Sequence, residues 1–255
     1  MKKITSIIIS SLLFVSSSFS QDEVAKKTLD QLSEKSKNYT DITAEFTFNF
    51  SNSSQGIDEN SEGKIWIKED KYKLDMSSDL SIINNGETLW YFMKDVPEVQ
   101  IMENDPEDEM NPSEIFTIYE RGYSYQYKGA SSEGGKRVHI IQLFPKESGS
   151  ISKFELYIDA AEIEINSIKL YDKNGGVTTY QITKFITDSG LSENTFIFRK
   201  KDHPEVEVIQ VPEKIDEYPQ LLRKNINLFY NLSYSEEDLS KTKMYEEENK
   251  RKKNK

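Results

Sequence analysis

The sequence predicts a mainly β fold, one antiparallel sheet of about eleven strands that curls into an open or complete barrel. Three observations predict it. Strand-length segments recur at short intervals, most of them alternating apolar with polar residues. The links between them are too short for crossovers, so sequence neighbours pair antiparallel. A sheet of that many strands accumulates twist and leaves costly edges, which favours curling over a flat array.

The elements follow in order. Lys2 and Lys3, an apolar run from Ile7 to Val15 and then Ser18-Phe19-Ser20 predict a secretory signal peptide over 1–20, cleaved after Ser20. The run falls short of the ~20 residues of a membrane-spanning helix. Asp22 to Lys37 places Val24, Ala25, Leu29 and Leu32 at helical spacing, predicting one amphipathic helix. Ile42, Ala44, Phe46, Phe48 and Phe50 then alternate with polar residues, a strand with three phenylalanines on one face. A polar loop is predicted over 51–61. Strands follow near 63–68, 71–77, 80–84, 87–93 and 98–102.

The block from Gly63 to Phe92 holds both tryptophans and much of the large apolar surface. After an acidic stretch, Asn111-Pro112-Ser113-Glu114 opens a predicted short helix carrying Ile115, Phe116, Ile118 and Tyr119, which Gly122 ends. Strands resume at 123–128, 137–144, 153–158, 162–171 and 177–185. The domain is expected over 21–211. Residues 212–255 form a charged extension, solvated or partly helical, with an apolar cluster at Leu221, Leu222, Ile226, Leu228, Phe229 and Tyr230.

Charge and chemistry exclude several functions. The net charge of −11 falls to −13 once Lys2 and Lys3 leave with the signal, so nucleic acid and anionic lipid surfaces are poor partners. With no cysteine there is no lipid-modified Cys, no disulfide and no thiol nucleophile. His139 falls within a strand and His203 precedes Pro204, neither in a catalytic or metal-binding constellation. Glu103, Asp105, Glu107, Asp108 and Glu109 lack the glycine and spacing of an EF-hand loop and read as solvated. No enzyme, metal or cofactor is predicted. What remains is 14 Tyr, 13 Phe and 2 Trp in a barrel wide enough to leave a cavity for an apolar ligand.

At this point the residues resemble a known family. The order of helix, Phe-rich strand, Gly63-Lys64-Ile65-Trp66-Ile67-Lys68, Tyr72-Lys73-Leu74, Ile82-Ile83-Asn84-Asn85-Gly86, Thr88-Leu89-Trp90-Tyr91-Phe92 and a short apolar helix resembles the periplasmic outer-membrane lipoprotein carriers, LolA. Glu193 to Phe198 followed by Glu205 to Ile209 resembles that family's ending. The resemblance implies an unclosed barrel of about eleven antiparallel strands, as in LolA and LolB, covered by short lid helices. Its cavity would shield the acyl chains of lipoproteins crossing the periplasm from an inner-membrane releasing transporter to an outer-membrane acceptor, and the carrier would work as a monomer.

On that reading the lipid-facing residues are Phe46, Phe48, Ile65, Ile67, Tyr72, Leu74, Ile82, Trp90 and Phe92, and the lid residues are Leu29, Leu32, Ile115, Phe116 and Ile118. Related half-barrels also act as sensors of lipid or lipoprotein, an alternative role. One departure stands out. Carriers of this family follow the Trp-Val-Lys strand with Arg-Pro, the arginine bonding the closed lid, whereas this chain has Glu69-Asp70. A carboxylate cannot donate those hydrogen bonds.

Overall fold

The computed structural model describes residues 16–76, 80–94, 97–104, 112–120, 122–147 and 149–210. Most of the predicted signal, most of the acidic stretch and the extension from 212 lie outside the described residues.

One helix, α1 (Ser16–Lys37), precedes the strands and runs across the predicted cleavage point. Its apolar stripe, Ala25, Leu29 and Leu32, is buried against the sheet, as the spacing requires. β1 (Ile42–Asn52) and β2 (Ile57–Lys68) form a hairpin longer than expected, because the predicted polar loop is mostly strand. The turn is made at 53–56, where Asn52 Oδ1 accepts from the Ser54 and Gln55 amides and Gly56 takes φ 67°. A meander follows: β3 (Lys71–Met76), β4 (Leu80–Asn84), β5 (Thr88–Met93) and β6 (Glu98–Glu103).

Two 3-10 turns, Pro112–Glu114 and Ile118–Glu120, take the place of the predicted short helix. The second meander is β7 (Tyr123–Glu133), β8 (Lys136–Pro145), β9 (Ile151–Asp159), β10 (Ile165–Asp172) and β11 (Val177–Thr187). β12 (Glu207–Gln210) closes the described chain.

All these strands join one 12-stranded sheet in the order β12-β6-β5-β4-β3-β2-β1-β11-β10-β9-β8-β7. The two meanders are united by β1 against β11, antiparallel from Ile42↔Thr187 to Ser51↔Val177. β12 and β7 remain as edges, so the curled sheet is unclosed. β12 is the one addition to the expected count, and it pairs with β6 in parallel. To reach β6 the chain from 188 to 206 crosses the outer face of the first meander. Asp41 anchors its start, accepting from the amides of Ser189 (2.8 Å), Gly190 (2.9 Å) and Leu191 (3.1 Å) and from Ser189 Oγ (2.6 Å). Burial pushes the Asp41 carboxyl up, but those hydrogen bonds more than offset it and hold it at about 2. Midway, Glu193 takes Lys68 and Lys71 at 2.7 and 2.8 Å. Lys200 Nζ then donates to the carbonyls of His203, Pro204 and Val206, gathering the turn before β12.

Candidate functional site

The inner face of the sheet carries the main core, and within it lies an apolar cavity of about 140 Å³. Strands from both meanders supply its wall. β1 contributes Ile42, Ala44 and Phe46, β2 Ile65 and Ile67, and β3 Leu74, all by simple alternation.

β10 and β11 contribute differently. Ile165, Ile168 and Leu170 all face the cavity although Ile165 is out of phase with the other two. The pairing explains this: Ile165 opposes Ile158 and Ser167 opposes Tyr157, so Asn166 is an extra residue, a bulge that flips the phase. β11 repeats the device. Glu45 opposes Lys184 while Phe46 opposes Ile182, leaving Thr183 as the extra residue, and Tyr180, Ile182 and Phe185 all line the cavity. Two bulges on adjacent strands thus turn six apolar side chains inward. Sequence reading missed all six. The signal was present as an apolar spacing of three, Ile165 to Ile168 and Ile182 to Phe185, where alternation demands two.

Room is made by Gly63, opposite Phe46. A Cβ there would run into the Phe46 ring and stand 2.9 Å from Met76 Sδ. Tyr180 packs edge-on against Phe46 and Phe48, at 5.6 and 5.4 Å between centroids, and burial pushes its hydroxyl pKa up. The segment 112–120 covers the mouth. Pro112, Glu114, Ile115, Phe116 and Ile118 complete the lining, and Phe116 meets Phe185 in an edge contact at 6.3 Å. Glu114 is the one charged side chain among the described lining residues.

The structure distributes the predicted residues as follows. Phe46, Ile65, Ile67 and Leu74 lie in the cavity wall, and Ile115, Phe116 and Ile118 in its cover. Phe48, Tyr72 and Ile82 are buried in the same core beside the cavity. Leu29 and Leu32 are buried under α1 and form no part of the lining. Trp90 and Phe92 are a correction, because they point to the outer face. In β5 the buried inner residues are Leu89, Tyr91 and Met93, while Phe92 packs on Phe198 (5.3 Å) and His203 (4.8 Å) of the crossing segment. Leu89 to Met93 is an unbroken apolar run because both faces of β5 are covered, so alternation could not assign its phase. Trp66 shares that outer face, between Lys64 and Lys73, each 5.2 Å from its ring.

The chemistry of the site is that of an apolar receptacle. No group of three or more His, Asp or Glu is gathered among the described residues in a way that could hold a metal ion. His139 shares a hydrogen bond with Tyr127 Oη at 2.8 Å, on the strand pair β7–β8, and burial pushes its pKa down. His203 stacks on Phe198. The departure at Glu69-Asp70 forms the exposed β2–β3 turn, with Glu69 at φ 56°. The cover instead finds polar partners on α1. Tyr119 Oη donates to Asp30 at 3.0 Å, Ser33 Oγ donates to Glu120 at 2.6 Å, and Lys37 pairs with Glu120 at 3.0 Å.

Among solved structures, an uncharacterized conserved protein from Thermus thermophilus superposes with a TM-score of 0.51 at 14% identity, covering 74% of this chain and 99% of that one, a likeness of fold. A LolA superfamily protein from Nitrosomonas europaea gives 0.39 at 11% identity, covering 68% and 97%. A putative outer membrane lipoprotein-sorting protein domain from Vibrio parahaemolyticus gives 0.38 at 12% identity, covering 70% and 97%. No curated protein matches the sequence. The family described as outer membrane lipoprotein carrier protein LolA matches residues 37–199. Since that match spans more than half of the chain and the sheet is the unclosed barrel it implies, the protein belongs to the LolA family.

Proposed function

We propose that the protein is a periplasmic chaperone that binds the acyl chains of lipoproteins in this cavity and carries them from the inner to the outer membrane. The observation that carries the reading is the cavity itself: a wall of Ile, Leu, Phe and Ala side chains beneath a thin cover, in a chain of this family. Its size says how cargo must enter. An engineered apolar cavity of about 150 Å³ holds one benzene, so the closed cavity of about 140 Å³ takes a stretch of about six carbons. A full acyl chain needs more space, and the cover has to yield. Each buried methylene contributes ~0.8 kcal/mol, so a long chain supplies on the order of 10 kcal/mol toward displacing it. The protein acts by binding and release, exchanging cargo with an inner-membrane transporter and an outer-membrane acceptor.

Mass spectrometry of lipids and acylated proteins co-purifying with the chain from residue 21 tests this, alongside release of lipoprotein from spheroplasts. Acylated protein in the complex together with release supports the carrier. Bound lipid without release points to a sensor role, and an empty protein that releases nothing sinks the proposal.

A further inference from the structure

We propose that the segment 112–120 is by itself the gate of the cavity, with α1 a fixed part of the frame, and that Glu120 is the residue that positions the gate. This departs from the expectation that Leu29 and Leu32 on α1 belong to the lid.

The asymmetry between the two elements carries the inference. α1 is bound to the body. Ala25 and Leu29 are 0% exposed in the core, and Lys35 Nζ at the helix end donates to the Glu162 carbonyl at 2.5 Å and pairs with Glu164 at 2.8 Å on the β9–β10 connection. The gate is less deeply buried than α1. Phe116 is its one buried apolar side chain among the described residues, and Ile115, Ile118 and Tyr119 are half-buried. Its turns are each a single 3-10 turn, which has little stability of its own. Polar bonds tie its far end to α1: Glu120 to Ser33 and Lys37, Tyr119 to Asp30.

The apolar side chains of the gate face the cavity and these hydrogen bonds face the helix. Cargo that replaces Ile115, Phe116 and Ile118 over the wall therefore competes with the apolar contacts and leaves the latch to set the closed population. Ser33 is buried while the Glu120 side chain is 40% exposed, so Glu120 can be altered without emptying the core.

The chain has no cysteine, which allows a test without any lipid. Ala44→Cys places a thiol in the cavity wall under the gate, and Ala25→Cys places one under α1. The rate of reaction with a soluble maleimide reads opening at each place. Adding Glu120→Ala, which removes the acceptor of Ser33 and Lys37, is expected to speed Ala44→Cys labelling about fivefold and Tyr119→Phe about threefold, as loss of one hydrogen bond implies, with Ala25→Cys unchanged. Charge reversal, Lys37→Glu with Glu120→Lys, should restore most of the slow rate. An unchanged Ala44→Cys rate in Glu120→Ala, an equal acceleration at Ala25→Cys, or no rescue by reversal each overturns the proposal. The gate matters for function only if the cavity carries lipid, but the labelling stands or falls apart from that reading, which the co-purification tests.

Discussion

Filling the cavity is the perturbation that most directly links its geometry to binding. Ala44 is 4% exposed, sits between Ile65 of β2 and Phe185 of β11, and lines the cavity with both. Ala44→Phe adds one phenyl ring, the size of the benzene that fills a cavity of about 150 Å³. The void of about 140 Å³ would be occupied by the protein's own side chain. A bound acyl chain would lose contact along about six carbons, a ceiling of about 5 kcal/mol at ~0.8 kcal/mol each. Part of that returns if the gate moves outward, leaving a net loss of about 2–3 kcal/mol, or roughly fifty-fold in Kd. Titration with a fluorescent fatty acid measures it, with urea unfolding as the control. Stability should change by less than about 1.5 kcal/mol, because the ring enters existing space. An Ala44→Phe protein that is folded and binds the fatty acid with unchanged affinity would refute the assignment of this cavity as the acyl site.

Further outcomes follow from the same geometry. Trp90→Ala should leave fatty-acid affinity within about twofold, since Trp90 lies on the outer face, whereas Leu74→Glu should abolish binding by placing a charge in the wall; the same titration compares them. Gly63→Ala should cost about 1–3 kcal/mol in urea unfolding, because the new methyl displaces the Phe46 ring. The Asp41 carboxyl, held at about 2 against an ordinary 3.8, contributes stability that is nearly full above pH 5 and is lost as pH falls toward 2. That loss is on the order of 2 kcal/mol. Urea midpoints between pH 5 and 2 should fall less steeply in Asp41→Asn than in the natural protein, where Glu155 and Glu193, also held low, add their own share of the slope; equal slopes would contradict the role of the Asp41 hydrogen bonds.

Local pattern alone determined a good part of this protein. Helical spacing of Ala25, Leu29 and Leu32 named the buried stripe of α1, and alternation through Phe46, Ile65, Ile67 and Leu74 named much of the cavity wall. Both signals are short-range, set by backbone periods of 3.6 and 2. Where a strand is covered on both faces the period vanishes, and Trp90 and Phe92 took the side that the pairing of β5 with β4 and the crossing of residues 188–206 dictated. Where a bulge inserts one residue the period changes phase, and Asn166 and Thr183 could be recognised as extra only against their partner strands. The parallel β12 and the latch from Glu120 to Ser33 and Lys37 join residues far apart in the chain, contacts that no local period encodes. Sequence determined that there would be an apolar inner face; only the mutual register of twelve strands decided which side chains share it, because facing is a property of pairs of strands.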